Sequence, residues 1–353
     1  MSEDGTYFDL GQHHRVVTTN SESAQTWFDR GLTWVYGYNH EEALVCFQVA
    51  LEEDPNCAMA QWGIAYAIGP NYNKGWGMFE PSEKEAALRT AHQALDAGLA
   101  VADLTAAERA LLEALRQRYP TDPTIEDFAP FDDAFGDAMR PVHEAHPDDL
   151  DVCSLFAEAL MGRTPWQLWD LASGQPADGA STEEARSVLE TAFQDHPASW
   201  SHPGVLHMYI HLMEMSPTPE LALPHGDRLV TLAPDSGHLV HMATHIDVLC
   251  GEYQNTVARN HQAAIVDRSF ASLRGADNFY TVYRIHNVHF EAYGAMLLGQ
   301  QQVALEAAEG LQEMLPPDIV GFRPDLFEAF WGIKVHAMVR FGMWDELLEE
   351  PLP

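Results

Sequence analysis

The chain has 353 residues, of which 46% are hydrophobic, and it carries a formal net charge of −34 at neutral pH. This length and composition suffice for a large core or a repeat array, whereas the charge excludes nucleic-acid binding because phosphates would be repelled. No apolar run approaches the roughly 20 residues of a membrane span, and the first residues lack a signal-peptide pattern, so we expect a cytoplasmic protein without membrane contact.

The segment Gln25–Pro55 carries the pattern of a tetratricopeptide unit, a helical hairpin that repeats about every 34 residues. Its diagnostic positions, at offsets 4, 8, 20, 24, 27 and 32 of the unit, hold Trp27, Gly31, Ala43, Phe47, Ala50 and Pro55. The small residues allow two helices to approach closely, and the proline ends the second helix. The pattern predicts an all-α fold, a tetratricopeptide-repeat-like helical hairpin solenoid with two loop insertions.

The two insertions interrupt this predicted array. The first is Gly69–Pro81, and the second, Arg163–Ala180, separates the predicted helices Leu150–Met161 and Thr182–Asp195. Long loops in compact domains are often functional. Each insertion is therefore either a lid over a groove or a packed connector. In the second insertion, we expect the tryptophans to belong to the local core. We predict one domain, 1–353, divided into an N-terminal segment (1–22), first repeats (23–101), irregular middle repeats (102–200) and regular repeats (201–353).

The regular repeats begin at Gly204. Their predicted helices are Leu206–Met215, Pro219–Ala233, His238–Cys250, Asn255–Phe270, Tyr283–Leu298, Val303–Met314 and Asp325–Phe341. The last repeat has little of its second helix after the turn at Gly342. Because arrays normally end in a polar capping element, we expect this end to be shortened, swapped or covered, for example in a dimer formed through the C-terminal repeat.

Histidines recur at matched offsets in the first helices of three successive repeats. Offsets 2, 5, 9 and 12 share one stripe of a helix, and this stripe lines the concave groove in arrays of this kind. In chain order it holds His207, His211 and Glu214, then His238, His241 and His245, then His286, His289 and Tyr293. Glu158 of an earlier repeat and His336 of the last repeat occupy the same stripe.

This stripe predicts a transition-metal site, because imidazoles from packed helices about 8–10 Å apart can converge on one ion. The predicted ligands are His207, His211, His238, His241, His245, His286 and His289. A nitrogen-rich set without thiolate suits copper, iron or zinc better than magnesium or calcium. Glu158, Glu214 and Tyr293 are the predicted catalytic residues. The two glutamates would serve as general bases near a metal-bound water, or alternatively as ligands or hydrogen-bond acceptors.

Metal-free interpretations stand beside this one. Groove histidines can bind an acidic peptide or a small anion, or titrate as a pH switch, and a single histidine on an apolar face is usually a polar core residue. We assign His225 to an outer helix. The other histidines off the stripe, expected at surfaces or caps, are His13, His14, His40, His92, His143, His146, His196 and His261.

Four stretches resemble a group of bacterial tetratricopeptide-repeat proteins. They are HPDDLDVCSLFAEALM with the following Pro165-Trp166, HPGVLHMYIHLMEMSPTPELAL, LAPDSGHLVHMATHIDVLCGEY and RIHNVHFEAYGAMLLG. The resemblance implies an all-α array with a histidine-lined interior, and it supplies no activity. The chain departs from the group at Ala243-Thr244, where relatives carry Pro–Ser or a similar pair, and it lacks the further repeats of longer members.

The character of the stripe decides between two functions. The first is a metal-dependent enzyme acting on a small molecule in the groove, with oxidative chemistry at copper or iron slightly favoured over hydrolysis at zinc. The alternative is a metal-free scaffold that binds a peptide or protein partner. Peptide-binding grooves favour Lys, Arg and Asn for carboxylate capture, whereas this stripe offers His, Glu and Tyr, which favours the metalloprotein.

Overall fold

The computed structural model describes residues 7–315 and 324–351. Within each unit described below, most α-helices pack against the next helix in the chain. The strands of this part are two residues each, β1 (Trp169–Asp170) and β2 (Gln175–Pro176), and they pair antiparallel. The prediction of an all-α helical-repeat fold is confirmed. None of the helices in these ranges combines the length and the apolar character needed to cross a bilayer.

Packing divides the chain into two compact units. The N-terminal unit is Leu10–Arg228, and the C-terminal unit is Leu229–Pro353 with Met1–Asp9, as far as these ranges are described. The predicted single domain, with its subdivisions, stays a prediction.

The N-terminal unit contains ten α-helices among its described residues. They are α1 (Glu22–Tyr36), α2 (His40–Glu53), α3 (Ala58–Ala67), α4 (Pro81–Leu99), α5 (Ala106–Arg116), α6 (Ala129–Ala145), α7 (Leu150–Met161), α8 (Thr182–Asp195), α9 (Pro203–Met213) and α10 (Leu223–Leu229), which contains the boundary. Side-chain caps fix the start of the first hairpin: Ser21 accepts from the Ala24 N–H and Asn39 from the Glu42 N–H. The predicted bounds of α7 and α8 agree with these.

Phe47 explains the small residues of the first repeat. Its ring lies so close to Gly31 and Gly63 that an added Cβ would stand 2.6 Å and 2.5 Å from the ring, respectively. Any larger side chain at either glycine would therefore displace the aromatic ring that joins α1, α2 and α3. The predicted tetratricopeptide contacts of Gly31 and Phe47 are confirmed.

Both insertions pack onto the N-terminal unit. The first contains a 3-10 helix, Trp76–Met78, and buries the aromatic side chains of Tyr72, Trp76 and Phe79. In the second, Trp169 is buried and its Nε1 donates to the Leu212 carbonyl oxygen at 2.7 Å. Trp166 is instead 42% exposed, so its assignment to the local core is wrong.

The C-terminal unit contains seven α-helices among its described residues after α10. They are α11 (Gly237–Cys250), α12 (Tyr253–Arg274), α13 (Tyr280–Leu298), α14 (Gln301–Met314), α15 (Pro324–Trp331), α16 (Ile333–Arg340) and α17 (Trp344–Glu349). Ile285, Ala292 and Leu311 belong to its buried core. In α17, Trp344 and Leu348 are 60% and 84% exposed. The predicted dimer through this repeat stays a prediction.

Two predicted helices are shorter in the structure. The segment predicted as Pro219–Ala233 forms a 3-10 helix, Pro219–Ala222, followed by α10. Pro224 has no N–H to donate, and α10 places it in its first turn, where a helical N–H would have no intrahelical acceptor. The segment predicted as Asp325–Phe341 is interrupted at Gly332, between α15 and α16.

Candidate metal centre

Helix α11 presents His241 and His245 one turn apart on the same face, because residues i and i+4 of an α-helix are neighbours. The helix ends at Gly251, whose φ of 81° is a left-handed conformation that glycine adopts without strain. Helix α13 packs against α11 and brings His286 to the same place, with its ring centroid 4.8 Å from that of His241.

The three imidazoles direct one nitrogen each toward a common point, and we call them the histidine triad. The Nε2 atoms of His241 and His245 are 2.9 Å apart, and those of His245 and His286 are 3.5 Å apart. All three ligand atoms lie within 4.8 Å of one another. Two nitrogens bound to one ion at about 2.0–2.1 Å are separated by about 2.9–3.4 Å in square or tetrahedral geometry. The triad therefore fits one ion with small adjustments.

Asn260 of α12 fixes the tautomer of His241. Its Nδ2 donates to the Thr256 carbonyl oxygen at 2.8 Å, so its Oδ1 is the atom that lies 2.6 Å from His241 Nδ1. Nδ1 must then carry the ring hydrogen, and neutral His241 directs the Nε2 lone pair toward His245. Such a partner on the far nitrogen is typical of metal-bound histidines.

Phe290 forms an apolar wall against all three rings. Its ring centroid lies 5.1 Å from that of His241, 5.1 Å from that of His245, where the rings stack, and 4.7 Å from that of His286. His241 is fully buried and His245 is 9% exposed, whereas His286 is partly exposed. The triad is thus held by packing and can be reached at His286.

Three other residues of the predicted site in this unit lie outside the triad. His238 packs against Tyr283, with ring centroids 4.7 Å apart. His289 meets the ring of Phe330 edge-on at 5.2 Å, and burial, followed by the charge of His336, lowers its pKa to about 4. Tyr293 is 40% exposed. Their roles as ligands or catalytic residues stay predictions.

His207 and His211 of α9 form a second arrangement, which we call the histidine pair. His207 Nδ1 lies 2.6 Å from the Tyr36 carbonyl oxygen, and His211 Nδ1 lies 2.8 Å from Glu214 Oε1. Because both oxygens accept, each Nδ1 carries a hydrogen and each neutral ring keeps the lone pair on Nε2. The rings are buried with centroids 4.7 Å apart. Both histidines are therefore prepared as ligands in the same way as His241.

The two insertions meet beside His211. Tyr72 of the first insertion and Trp166 of the second place their ring centroids 4.9 Å and 5.7 Å from that of His211. The Trp166 N–H donates to the Tyr72 hydroxyl oxygen at 3.1 Å, which joins the insertions directly. The insertions thus cover His211. Whether they open as lids stays a prediction.

Glu158 is buried and accepts hydrogen bonds in the N-terminal unit. Its Oε2 accepts from the Tyr66 hydroxyl at 2.6 Å, and its Oε1 accepts from the Tyr72 N–H at 3.4 Å. Burial, followed by the charge of Glu158, raises the pKa of Tyr66 well above its usual value, so the phenol stays protonated and donates. Glu158 therefore helps to anchor the first insertion. Its predicted catalytic role, like that of Glu214, stays a prediction.

Asp151 of α7 is the centre of a third group that contains histidines. Its Oδ1 lies 2.9 Å from His13 Nε2 and 3.0 Å from His202 Nε2, and it accepts from the Tyr36 hydroxyl at 2.6 Å. Its Oδ2 accepts from Arg15 Nη1 at 3.0 Å. Asp151 is 7% exposed. We call this group the Asp151 network.

Hydrogen bonding explains why this network is poorly suited to a metal. His202 Nδ1 accepts from the Val205 N–H at 3.1 Å at the start of α9, so in the neutral ring Nε2 carries the hydrogen and donates to Asp151. Burial alone would raise the pKa of Asp151, but attraction to His13 and His202 holds it well below the ordinary range. The Asp151 network is therefore an ionised carboxylate that accepts from several donors.

Comparisons with known proteins add no function to this geometry. No family model matches the chain. No curated protein matches it. Among solved structures, the chain is similar to a chain of the "Crystal structure of APC/C hetero-tetramer Cut9-Hcn1" at 14% identity, over 95% of this chain and 67% of that chain, with a TM-score of 0.32. A similarity this weak carries no argument about function.

Proposed function

We propose that the histidine triad binds a first-row transition-metal ion and that the protein is a metalloprotein. The observation that carries this proposal is the convergence of three Nε2 atoms, with the tautomer of His241 set by Asn260. The ring hydrogen of His241 points away from the other two imidazoles, which leaves its Nε2 lone pair available to an ion.

Neutral imidazole nitrogens determine which metals fit. Three such ligands suit zinc, copper, iron or nickel, whereas magnesium and calcium require oxygen ligands. The 2.9 Å separation of the His241 and His245 Nε2 atoms agrees with bonds of about 2.0–2.1 Å, and the 3.5 Å separation of those of His245 and His286 requires a small adjustment. Copper should bind most tightly of the divalent ions, because affinity for nitrogen sites rises along the first row to copper.

Three protein ligands leave a coordination position for water or a small molecule, as in catalytic rather than structural zinc sites. The partial exposure of His286 gives that position a route from outside, and Phe290 keeps the other side apolar. These features support a metal-dependent enzyme acting on a small molecule. Oxidative chemistry at copper or iron is our first choice, and hydrolysis at zinc is the second.

The histidine pair is a second candidate position in the N-terminal unit. The Tyr36 carbonyl and the Glu214 carboxylate orient its rings, and a carboxylate partner also raises the basicity of the ligating nitrogen. Two imidazoles alone do not complete a transition-metal site, so this position would need further ligands.

Metal analysis of the protein purified without an affinity tag tests the triad. After separate loading with Zn²⁺, Cu²⁺ and Fe²⁺ and removal of excess, we expect about one tightly held ion per chain, or about two if the pair also binds. His241→Ala, His245→Ala and His286→Ala should each lower the affinity more than about 100-fold, because each removes a ligand.

The matched control is His261→Ala. His261 lies in the same unit, but its side chain is 60% exposed and hydrogen-bonds to Glu291. This variant should bind metal like wild type. A wild-type protein with fewer than about 0.2 ion per chain after loading with each metal would contradict the proposal. The hydrogen bond that His245 can donate to His241 would then account for the triad, and a metal-free interaction scaffold would become the better interpretation.

A further inference from the structure

A cavity of about 260 Å³ in the N-terminal unit carries a separate inference. It lies between the two insertions and is lined by Trp76, Lys84, Arg118, Phe128 and Asp132 among others. Its volume equals that of roughly eight or nine water molecules. We call it the Arg118 cavity.

Arg118 is a buried cation in an unusual state. It is 6% exposed, and its Nε and Nη1 atoms are buried without a hydrogen-bond partner among residues 7–315 and 324–351. The ion pairs found within that part of the chain do not include it. Its guanidinium lies 5.6 Å from the ring centroid of Tyr66 and 5.1 Å from that of Phe135. Aromatic faces attract a cation but offer no acceptor for its N–H groups.

An arginine cannot relieve this situation by losing its proton, because its pKa is too high. A buried cation needs acceptors for its N–H groups. The charges of Asp132 and Glu158 stabilise the Arg118 guanidinium, but neither carboxylate forms an ion pair with it among the described residues, so its Nε and Nη1 hydrogens still need an acceptor.

Three cations, Arg118, Lys84 and Arg163, and two carboxylates, Glu126 and Asp132, line this cavity. Arg163 already pairs with Asp133, so Arg118 is the cation whose buried N–H groups lack an acceptor in the described residues. The guanidinium therefore points to an anionic ligand.

The remaining lining defines the ligand further. Trp76 and Phe128 stack with ring centroids 4.4 Å apart and form an apolar wall. Asp132 and Glu126 also line the cavity, and their carboxylates would repel a multiply charged anion such as phosphate more than a singly charged one. A planar carboxylate matches the two parallel N–H donors of a guanidinium.

We propose that the Arg118 cavity binds a small organic monocarboxylate with a planar apolar body. The carboxylate pairs with Arg118, and the body lies against Trp76 and Phe128. The site is independent of the histidine triad and of the proposed metal, so either proposal can fail without the other.

Benzoate is the probe, benzamide is its neutral counterpart and inorganic phosphate is the general anion. Isothermal titration calorimetry should show one benzoate bound per chain, with benzamide at least about 10-fold weaker, because it lacks the charge. Phosphate should bind more weakly than benzoate, because the carboxylates of Asp132 and Glu126 repel a multiply charged anion more strongly. Arg118→Gln should weaken benzoate about 10–100-fold, the loss expected for hydrogen bonds to a charged group.

Arg116→Gln is the matched control. It removes the same charge two residues earlier, but the Arg116 side chain is 40% exposed and pairs with Asp96, so benzoate affinity should stay within about twofold of wild type. Should Arg118→Gln fail to fold, Lys84→Gln at the first turn of α4 replaces it and should weaken benzoate at least about threefold. The proposal would be overturned if benzamide or phosphate bound with the same affinity as benzoate. It would also be overturned if no benzoate bound at a concentration of about 10 mM.

Discussion

The histidine triad and the Asp151 network both gather histidines at buried positions, yet hydrogen bonding gives them opposite chemistry. In the triad, Asn260 Oδ1 accepts a hydrogen bond from His241 Nδ1, so the Nε2 lone pair of His241 faces the two other imidazoles. In the Asp151 network, His202 Nδ1 accepts a hydrogen bond from a backbone N–H. The ring hydrogen of His202 is therefore on Nε2, which donates to the Asp151 carboxylate. The partner of the second ring nitrogen, rather than the proximity of histidines, therefore separates a candidate metal site from a structural network.

The largest expected effect is on the Asp151 network. Asp151→Ala should reduce the free energy of unfolding by about 3–5 kcal/mol, because it leaves the buried Arg15 cation without one of its carboxylates. Urea denaturation followed by circular dichroism measures the change. The control is Asp148→Ala, since the Asp148 side chain is 88% exposed and its change should be within about 0.5 kcal/mol. An equal effect of both substitutions would show that Asp151 is not the centre of a buried network.

A smaller effect is expected on the metal affinity of the triad when Asn260, which orients His241, is substituted. Asn260→Ala frees the Nδ1 hydrogen of His241 to move to Nε2, so metal affinity should fall about 10–100-fold. Competition with a chromophoric chelator measures the affinity of each variant. Gln262→Ala, at an exposed position of the same helix, should leave it unchanged. If Asn260→Ala binds metal as tightly as wild type, the orientation of His241 does not depend on this hydrogen bond.

The fold was predictable because its determinants are local. Offsets in one repeat specified the contact of Phe47 with Gly31, and the i, i+4 spacing specified which face His241 and His245 share. These relations depend only on the period of the helix and on close packing of small residues.

The site was predicted only in part, because its partners come from distant positions. Asn260 lies on α12, the second helix of its repeat, whereas the matching of histidine offsets considered only the first helix of each repeat. The count also treated His289 as equivalent to His286, although they differ in direction around α13: His286 meets His241, whereas His289 meets Phe330. The expected surface position of His13 is wrong, since its side chain is 8% exposed and its carboxylate partner is 138 residues away.

The smallest effect at neutral pH is expected at His225, a buried histidine for which the charge of Glu190 offsets only part of the effect of burial on its pKa. The ring packs among Phe193, Trp200 and Tyr209, with centroids 4.5, 4.5 and 4.4 Å away, and burial lowers its pKa to about 4. Since the unfolded chain has a histidine pKa of about 6.5, it takes up the proton first, so His225 costs the fold stability as the pH falls from 6.5 toward 4.

His225→Phe keeps the aromatic packing and removes this titration. At pH 7 the free energy of unfolding should change by less than about 1.5 kcal/mol, because the volume is nearly conserved. Between pH 7 and pH 4.5 the variant should lose about 2 kcal/mol less stability than wild type, from urea denaturation at both pH values. A variant that loses stability as steeply as wild type would show that burial alone does not set the protonation of His225.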